Sequence, residues 1–452
     1  MTKVLILTGD PIGAKMAGPA IRSWNMALQL SQENEVILVT TTVLEEIAAP
    51  FGLRRVKPGE NRAFAELERW ADVIVFQGHA MNQFEALRHT SKIVVVDIYD
   101  PMHLEMLEQG RELPFATWEL RVSTATSVLN QQLTLGDFFL CSSERQRLFY
   151  LGQLAALGRI NPKTYQNDPH MRSLIAVAPF GLSAEPPLHR KPALRGVVPG
   201  IGTEDKVLIW GGGVYNWFDP KTLISAVAEL VSRRDNVRLF FLGTRHPGVE
   251  EMGIVRESVD LARELGVLDS AVFFNEDWVD FAERANYLTE ADAGVSTHHS
   301  HIETTFSFRT RILDYLWAGL PMVVTEGDTF AELVEHEGLG IVVPAGDSVV
   351  LAAALESILF DDQLVASFRA NVERVAADFQ WEMTLSSVVK FVKNPHHAAD
   401  FTGSRNDSRS RPFGVRKPHG VRHDLSMTWH YFKHSGPRAT LTKLRNRLRR
   451  RR

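Results

Sequence analysis

Two stretches 203 residues apart begin alike: KVLILTGDPIG at 3–13 and KVLIWGGGVYN at 206–216. Each is a short apolar run that breaks into turn residues. Each is followed by a segment with helical spacing, AIRSWNMALQLS in the first case and LISAVAELVSRR in the second. A chain that starts the same strand, loop and helix twice is expected to build two sheets. Uninterrupted apolar strands need helices on both faces, so these sheets should be parallel.

The rest of the chain keeps that rhythm. EVILVTT, ADVIVFQGH, KIVVVDIYD and FFLCSS follow the first start, and VRLFFLG, AVFFNE, AGVSTHH, MVVTEG and GIVVPAG follow the second. The fold class implied is α/β, with two Rossmann-like domains at 1–182 and 206–379. Between them 183–205, with Pro186, Pro187, Pro192 and Pro199 and with Pro179 just upstream, reads as a linker. Ligands of such sheets sit at the carboxyl ends of the strands, so two domains facing each other would place a site in the cleft between them.

Composition narrows the setting. Hydrophobic residues at 44% and charged residues at 23% match ordinary soluble proteins and argue against general disorder. The single Cys141 excludes an intrachain disulfide framework and a multi-cysteine metal site. No apolar run approaches the roughly 18 residues needed to span a bilayer, and MTKVLILTGD lacks a basic leader and a cleavable apolar core, so a cytoplasmic protein is expected. The net charge of −4 hides an asymmetry. Residues 401–452 carry 15 Lys and Arg against Asp407 and Asp424, whereas 1–400 carry 35 against 52, a net of −17.

The sharpest chemical signal is ETTFSFRTRILDYLWAGLPMVVTEGD at 303–326. Asp314 followed by Ala318, Gly319, Leu320, Pro321, Met322, Val323 and Val324 resembles the signature of the retaining nucleotide-sugar glycosyltransferases of family 4, whose GT-B fold pairs two Rossmann-like domains. SSERQR (142–147), APFGL (178–182) and a crossover-like QWEMTLSSVVKFV (380–392) extend the resemblance over about 3–393. It implies a crossover helix at 380–393 packing back on the first domain, which would hold the acceptor. The second domain would bind a nucleotide-sugar donor, and 394–452 would be a basic tail outside the core. The family's two glutamates stand eight residues apart, whereas here Asp314 replaces the second and Phe306 occupies the first position. Glu303, eleven residues before Asp314, takes the first role only if the loop carries a three-residue insertion.

The residues themselves agree with such a role. A TTFS loop opening a helix, Ser307 included, would offer backbone N–H groups to a diphosphate, with Arg309 and Arg311 adding charge. Asp314 could accept from ribose hydroxyls and Glu303 from the donor sugar. Helix-surface ion pairs are the plain alternative for Arg309, Arg311 and Asp314. The loop WGGGVYNWFDP (210–220) lets backbone approach a phosphate through Gly212 and Gly213, but lacks both a Gly-x-Gly-x-x-Gly fingerprint and the Arg and Lys the family usually carries. Lys221, Arg245 or Arg309 must then supply the cation, unless the glycines serve only a tight turn. In the first half, Gly18 falls in the loop that the resemblance places beside the donor phosphate or acceptor. Asp97 and Asp100 end a strand where the family has a sugar-contacting His-Asp pair; with Glu303 they are the catalytic candidates, one Asp orienting the acceptor or stabilising positive charge at the anomeric carbon, and an Asx-turn is their alternative. His79, after ADVIVFQG, is a further cleft-edge candidate for a sugar contact or a structural histidine.

Other chemistries lack support. No Asp-x-Asp occurs, and adjacent histidines such as His298 and His299 point to opposite faces of a strand, so no metal and no separate cofactor is expected. Gly-x-Ser-x-Gly, P-loop and HExxH motifs are absent. The expected activity is transfer of a sugar from a nucleotide-sugar donor to a glycan or lipid-linked acceptor. The alternatives are another GT-B enzyme, such as a sugar-nucleotide epimerase or a phosphorylase, and a non-catalytic sugar-nucleotide or glycan-binding scaffold. The acidic body disfavours nucleic acid as a partner.

The tail suits an anionic membrane surface. Leu425, Trp429 and Phe432, and then Leu441, Leu444 and Leu448, each fall on one helical face amid Lys443, Arg445, Arg447 and Arg449 to Arg452. Each basic residue near an anionic leaflet contributes about 1 kcal/mol. A solvated disordered tail is the alternative, since 402–424 is rich in Ser, Arg and Gly. The full-length protein is expected to sediment with anionic liposomes at low salt, and truncation at Asp400 to abolish this while sparing donor hydrolysis. Failure of the full-length protein to sediment removes the membrane role.

Overall fold

The computed structural model describes residues 1–14, 16–244 and 252–403. Arg245 and residues 404–452 of the basic tail therefore lie outside the described residues, whereas 394–403, expected as tail, pack on the first domain: Asp400 pairs with Arg159 at 2.9 Å and Ala398 N–H donates to Asp137 at 3.1 Å. The first sheet contains β1 (Lys3–Thr8), β2 (Glu35–Thr40), β3 (Gly52–Arg55), β4 (Val73–Gln77), β5 (Ile93–Asp97), β6 (Phe138–Cys141) and β7 (Ile175–Val177), in the spatial order 3-2-1-4-5-6-7. The second contains β8 (Lys206–Trp210), β9 (Val237–Phe241), β10 (Val272–Phe274), β11 (Ala293–Ser296), β12 (Met322–Thr325) and β13 (Gly340–Val343), in the order 10-9-8-11-12-13. All neighbouring strands in both sheets are parallel. The duplicated start of the sequence is thus a duplicated sheet, with β1 and β8 in equivalent central places. This is the GT-B architecture.

Burial explains why the strands read as continuous apolar runs. In β1, Val4 and Ile6 belong to one cluster while Leu5 and Leu7 belong to another on the opposite face, and all four are essentially inaccessible. Helices cover both faces, so no polar alternation survives. The short β3 and β7 carry too few apolar residues to be evident from pattern alone, and they take up edge places in the order of the sheet.

The proline-rich 183–205 is not a loose tether. The Glu290 carboxylate accepts from the backbone N–H groups of Ala193, Leu194 and Arg195 at 2.9, 2.7 and 2.9 Å, and Asn286 Oδ1 accepts from Arg190 N–H at 2.8 Å. The segment is therefore strapped to the helix Arg284–Glu290. After the second sheet the chain returns to the first. Leu182 N–H donates to Phe379 O at 2.8 Å and Trp381 N–H to Leu182 O at 3.2 Å, so the outgoing and returning strands of chain run side by side. The helix Ser386–Lys393 then docks on the first sheet, with Phe391 stacked on Phe138 at 4.3 Å and Lys393 paired with Glu33 at 3.0 Å.

One buried ion pair holds the amino-terminal wall of the cleft. Arg22, on the helix Gly18–Ser31, is fully buried and donates to Asp97 through Nε at 2.6 Å and Nη2 at 2.8 Å. It also donates to Pro179 O at 3.0 Å and Ala178 O at 2.8 Å, and its guanidinium packs against the Tyr99 and Phe180 rings at 5.1 and 5.0 Å. Asp97, expected as a catalytic group, has both oxygens engaged here and lies outside the wall of the cleft. Its role is to fix the end of β5. Because removing one partner leaves a buried charge uncompensated, Arg22→Leu is expected to cost about 3–5 kcal/mol. Denaturant unfolding checks this, and a loss under about 1 kcal/mol would contradict it.

Candidate functional site

The carboxyl ends of the two sheets enclose a cleft of about 930 Å³. On the first sheet it begins beside β1, whose neighbours β2 and β4 leave the strand order in opposite directions; on the second it begins beside β8, between β9 and β11. These are the two topological switch points, where parallel sheets open a crevice.

The loop after β8 forms one wall. Gly211 N–H donates to Tyr315 Oη at 2.9 Å, and that hydroxyl lies 2.7 Å from Val295 O, so one side chain pins the loop to β11. Gly212 has φ +84°, which side chains rarely adopt, and a Cβ on Gly213 would stand 2.6 Å from the Tyr215 ring. The glycines hold backbone at the cleft surface with no side chain in the way.

Two arginines stand beside this loop. Arg309 donates from Nη1 and Nη2 to the two oxygens of Glu303, at 2.9 and 2.7 Å, and its Nε–H has no partner. Arg311 donates from Nη2 to Gly213 O at 2.8 Å, while its Nη1 has no partner. Its guanidinium stacks on Trp210 and Phe218 at 4.2 and 3.9 Å. Burial lowers the Arg311 pKa to about 10, which leaves it charged at neutral pH. Both residues are over nine-tenths buried and both line the cleft. Buried guanidinium donors without partners are costly unless an anion meets them.

The structure brings together Gly18, Asp100, Gly212, Gly213, Ser307, Arg309, Arg311 and Asp314 in the wall of one cleft. Several expectations need correction. Glu303 is wholly buried and spends its carboxylate on Arg309, so it is not a cleft-lining group. The TTFS segment is not an open loop. Residues Ile302–Phe306 form a short helix whose first turn is capped by His301, and Ser307 follows it. Asp314 lines the cleft but is ion-paired with Arg284, also a lining residue. His79 is exposed on the turn before the helix Ala80–Gln83 and lies away from the cleft. Lys221 pairs with Glu257 at 2.6 Å and is likewise outside the lining.

The three histidines near Glu303 have separate partners. His298 Nε2 lies 3.1 Å from Glu326 O, His299 Nδ1 is 3.7 Å from Asp219, and His301 Nδ1 accepts from Thr304 N–H. Burial, chiefly, pulls His298 down to about 3, so it stays neutral. Among the described residues no group of three or more His, Cys, Asp or Glu could hold a metal ion.

Sequence reasoning missed Asp10, Glu105, Arg284 and Trp278, which all line the cleft. Asp10 had a usable signal, since it ends the first strand run at a switch point. Glu105 hydrogen-bonds Asp100, and burial raises both carboxyls, Asp100 to about 6 and Glu105 well above the ordinary range. Asp100 Oδ1 is buried without a partner.

Residues 205–361 match the family described as Glycosyl transferases group 1. This segment is a group 1 glycosyltransferase domain. The chain is 26% identical over 193 residues to a D-inositol 3-phosphate glycosyltransferase of Thermobispora bispora, covering 42% of this chain and 44% of that protein. It is 26% identical over 168 residues to a phosphatidyl-myo-inositol mannosyltransferase of Mycolicibacterium smegmatis, covering 37% of this chain and 39% of that protein. The chain thus spans less than half the length of these curated relatives. Among solved structures it is similar to Anabaena HepE in complex with UDP and glucose, with a TM-score of 0.63, 16% identity, and coverage of 87% of this chain and 100% of that one. It is also similar to WaaG, a glycosyltransferase involved in lipopolysaccharide biosynthesis, with a TM-score of 0.59, 17% identity, and coverage of 86% and 100%. These likenesses establish the GT-B fold of the group 1 domain and its partner.

The raised carboxyl of Asp100 carries a stability signature. Its pKa near 6 exceeds the unfolded value of about 3.9, so holding it ionised costs nothing near pH 4, progressively more between pH 4 and 6, and the full amount above 6. Asp100→Asn removes that cost. The variant is expected to exceed the parent by about 2 kcal/mol at pH 7.5 and to match it near pH 4. Equal gaps at both pH values in denaturant unfolding would contradict the burial of this group.

Proposed function

We propose that the protein is a glycosyltransferase that moves a sugar from a nucleotide-sugar donor to a hydroxyl of a glycan or lipid-linked acceptor, with retention of anomeric configuration. The observation that carries this reading is the pair of buried, incompletely bonded guanidinium groups, Arg309 and Arg311, facing the glycine loop in a cleft between two sheet ends. The group 1 domain at 205–361 supports it.

The leaving diphosphate lies against Arg309, Arg311 and the backbone of Gly211 to Gly213. The bond from the anomeric carbon to the phosphate oxygen breaks with its electrons going to the diphosphate, whose growing charge the two guanidinium groups stabilise. The acceptor oxygen attacks from the face the diphosphate leaves, forms the new glycosidic bond and passes its proton to a diphosphate oxygen. Glu303 acts one step back, holding Arg309 by two hydrogen bonds. Asp314, anchored by Arg284, accepts from the nucleoside ribose. The charge stabilisation comes from side chains, and no divalent metal is required. Association with the cytoplasmic face of a membrane is part of the proposal and rests on the tail's composition; among the described residues no helix is long and apolar enough to cross a membrane.

The test is turnover of UDP- and GDP-sugars with and without EDTA. Sugar release or transfer that survives chelation supports the reading, and dependence on added Mg²⁺ or Mn²⁺ contradicts the metal-free part. A scaffold would bind the nucleotide and release no sugar. Arg309→Ala or Arg311→Ala is expected to weaken nucleoside-diphosphate binding by about 1.5–3 kcal/mol, the worth of a hydrogen bond to a charged group. Parent-like affinity in both variants by calorimetry would overturn the assignment.

A further inference from the structure

The cleft is electrically divided. Among the described residues every Lys or Arg lining it comes from the linker or the second domain: Arg190, Arg284, Arg309 and Arg311. The first domain contributes Asp10, just past β1, and Asp100 and Glu105, just past β5. Burial raises all three carboxyls. The two walls are close. Both line one cleft, and Gln146 joins their bases by donating to Tyr99 O at 2.9 Å and to Phe306 O at 2.8 Å.

We propose that Asp10, Asp100 and Glu105 form the acceptor subsite and set its specificity: they take a polyhydroxylated ring that carries no phosphate and reject its phosphate ester. This rests on the transferase reading, because it assigns the diphosphate to the opposite wall. Asp100 and Glu105 share a hydrogen bond, and Asp100 keeps one buried oxygen unmet. A carboxyl pair holding one proton presents both a donor and an acceptor, which is what a sugar hydroxyl needs. A phosphate dianion there would instead meet like charge, with no cation from the first domain among the described residues. Trp24, half-buried where the first domain lines the same cleft, supplies a flat apolar face suited to a sugar ring.

The experiment pairs glucose, mannose and galactose, and disaccharides of each, with their monophosphate esters. Transfer from UDP-glucose or GDP-mannose and inhibition of donor hydrolysis are both read, since an occupant of the subsite either accepts the sugar or displaces water. In the parent the unphosphorylated member is expected to act at a concentration roughly tenfold lower than its ester or less. Asp10→Asn, the least embedded change, and the Asp10→Asn, Asp100→Asn, Glu105→Gln triple are expected to narrow that ratio stepwise. Preference for the phosphorylated member overturns the proposal, as does a ratio unchanged in both variants or a panel in which no neutral sugar has any effect. Absence of donor turnover in the parent would instead sink the transferase reading.

Discussion

The Arg22–Asp97 pair is the constraint on which the amino-terminal wall depends. One guanidinium bonds the end of β5 and two carbonyls of the segment leaving β7, and it does so from the helix that follows β1. Three chain segments that share no backbone hydrogen bonds with one another at this point are thereby held in register. Tyr99 and Asp100 come two and three residues after Asp97, so that part of the acidic wall inherits its position from this pair. A buried ion pair seldom adds much net stability over an apolar equivalent. Its worth here is geometric: it converts three loop origins into one rigid edge.

The facing wall follows a different economy. Arg309 and Arg311 are buried against Phe218 and Trp210, and each retains an N–H without a partner. Glu303 compensates the first charge, whereas Arg311 has only aromatic faces and a carbonyl. Desolvated cations of this kind gain more from an incoming anion than exposed ones, because little water must be displaced and the rings cannot screen the charge. Asp314, in the same wall, is ion-paired with Arg284, so its orientation is fixed without any ligand.

The two-domain plan was legible because a repeated strand and loop is a pattern in sequence, and continuous apolar strands state their own burial. The site was half legible. Arg309, Arg311 and Asp314 sit in one motif, and the glycines follow a strand, so local rules reach them. Asp97 and Glu303 were read as reactive because carboxylates at strand ends and near the signature usually face the cleft. What reassigns them is a partner far off in sequence, Arg22 for Asp97, or a turn geometry that folds Arg309 back, for Glu303. Periodicity does not register either event. Arg284 and Glu105 show the converse: each gains its meaning from a residue on another element or turn, Asp314 and Asp100.

The relation between the walls is itself fixed by a side chain. Gln146, fully buried on the helix Glu144–Ala156, donates from Nε2 to Tyr99 O at 2.9 Å and to Phe306 O at 2.8 Å. The first carbonyl belongs to the turn that carries Asp100, and the second ends the short helix that carries Glu303. Phe149 stacks on Phe306 at 4.4 Å one turn further along the same helix. A shift of the second sheet relative to the first must therefore break this bridge or drag the Glu303–Arg309 pair with it. Arg145, on the same helix, adds a second crossing to Gly327 O at 2.6 Å and to the Glu332 carboxylate, so side chains of this helix brace the acidic wall against the cationic wall alongside the linker. Where the two covalent crossings meet, Leu182 pairs with Gln380, and the helix Glu144–Ala156 ties the two walls together through Gln146 beside them.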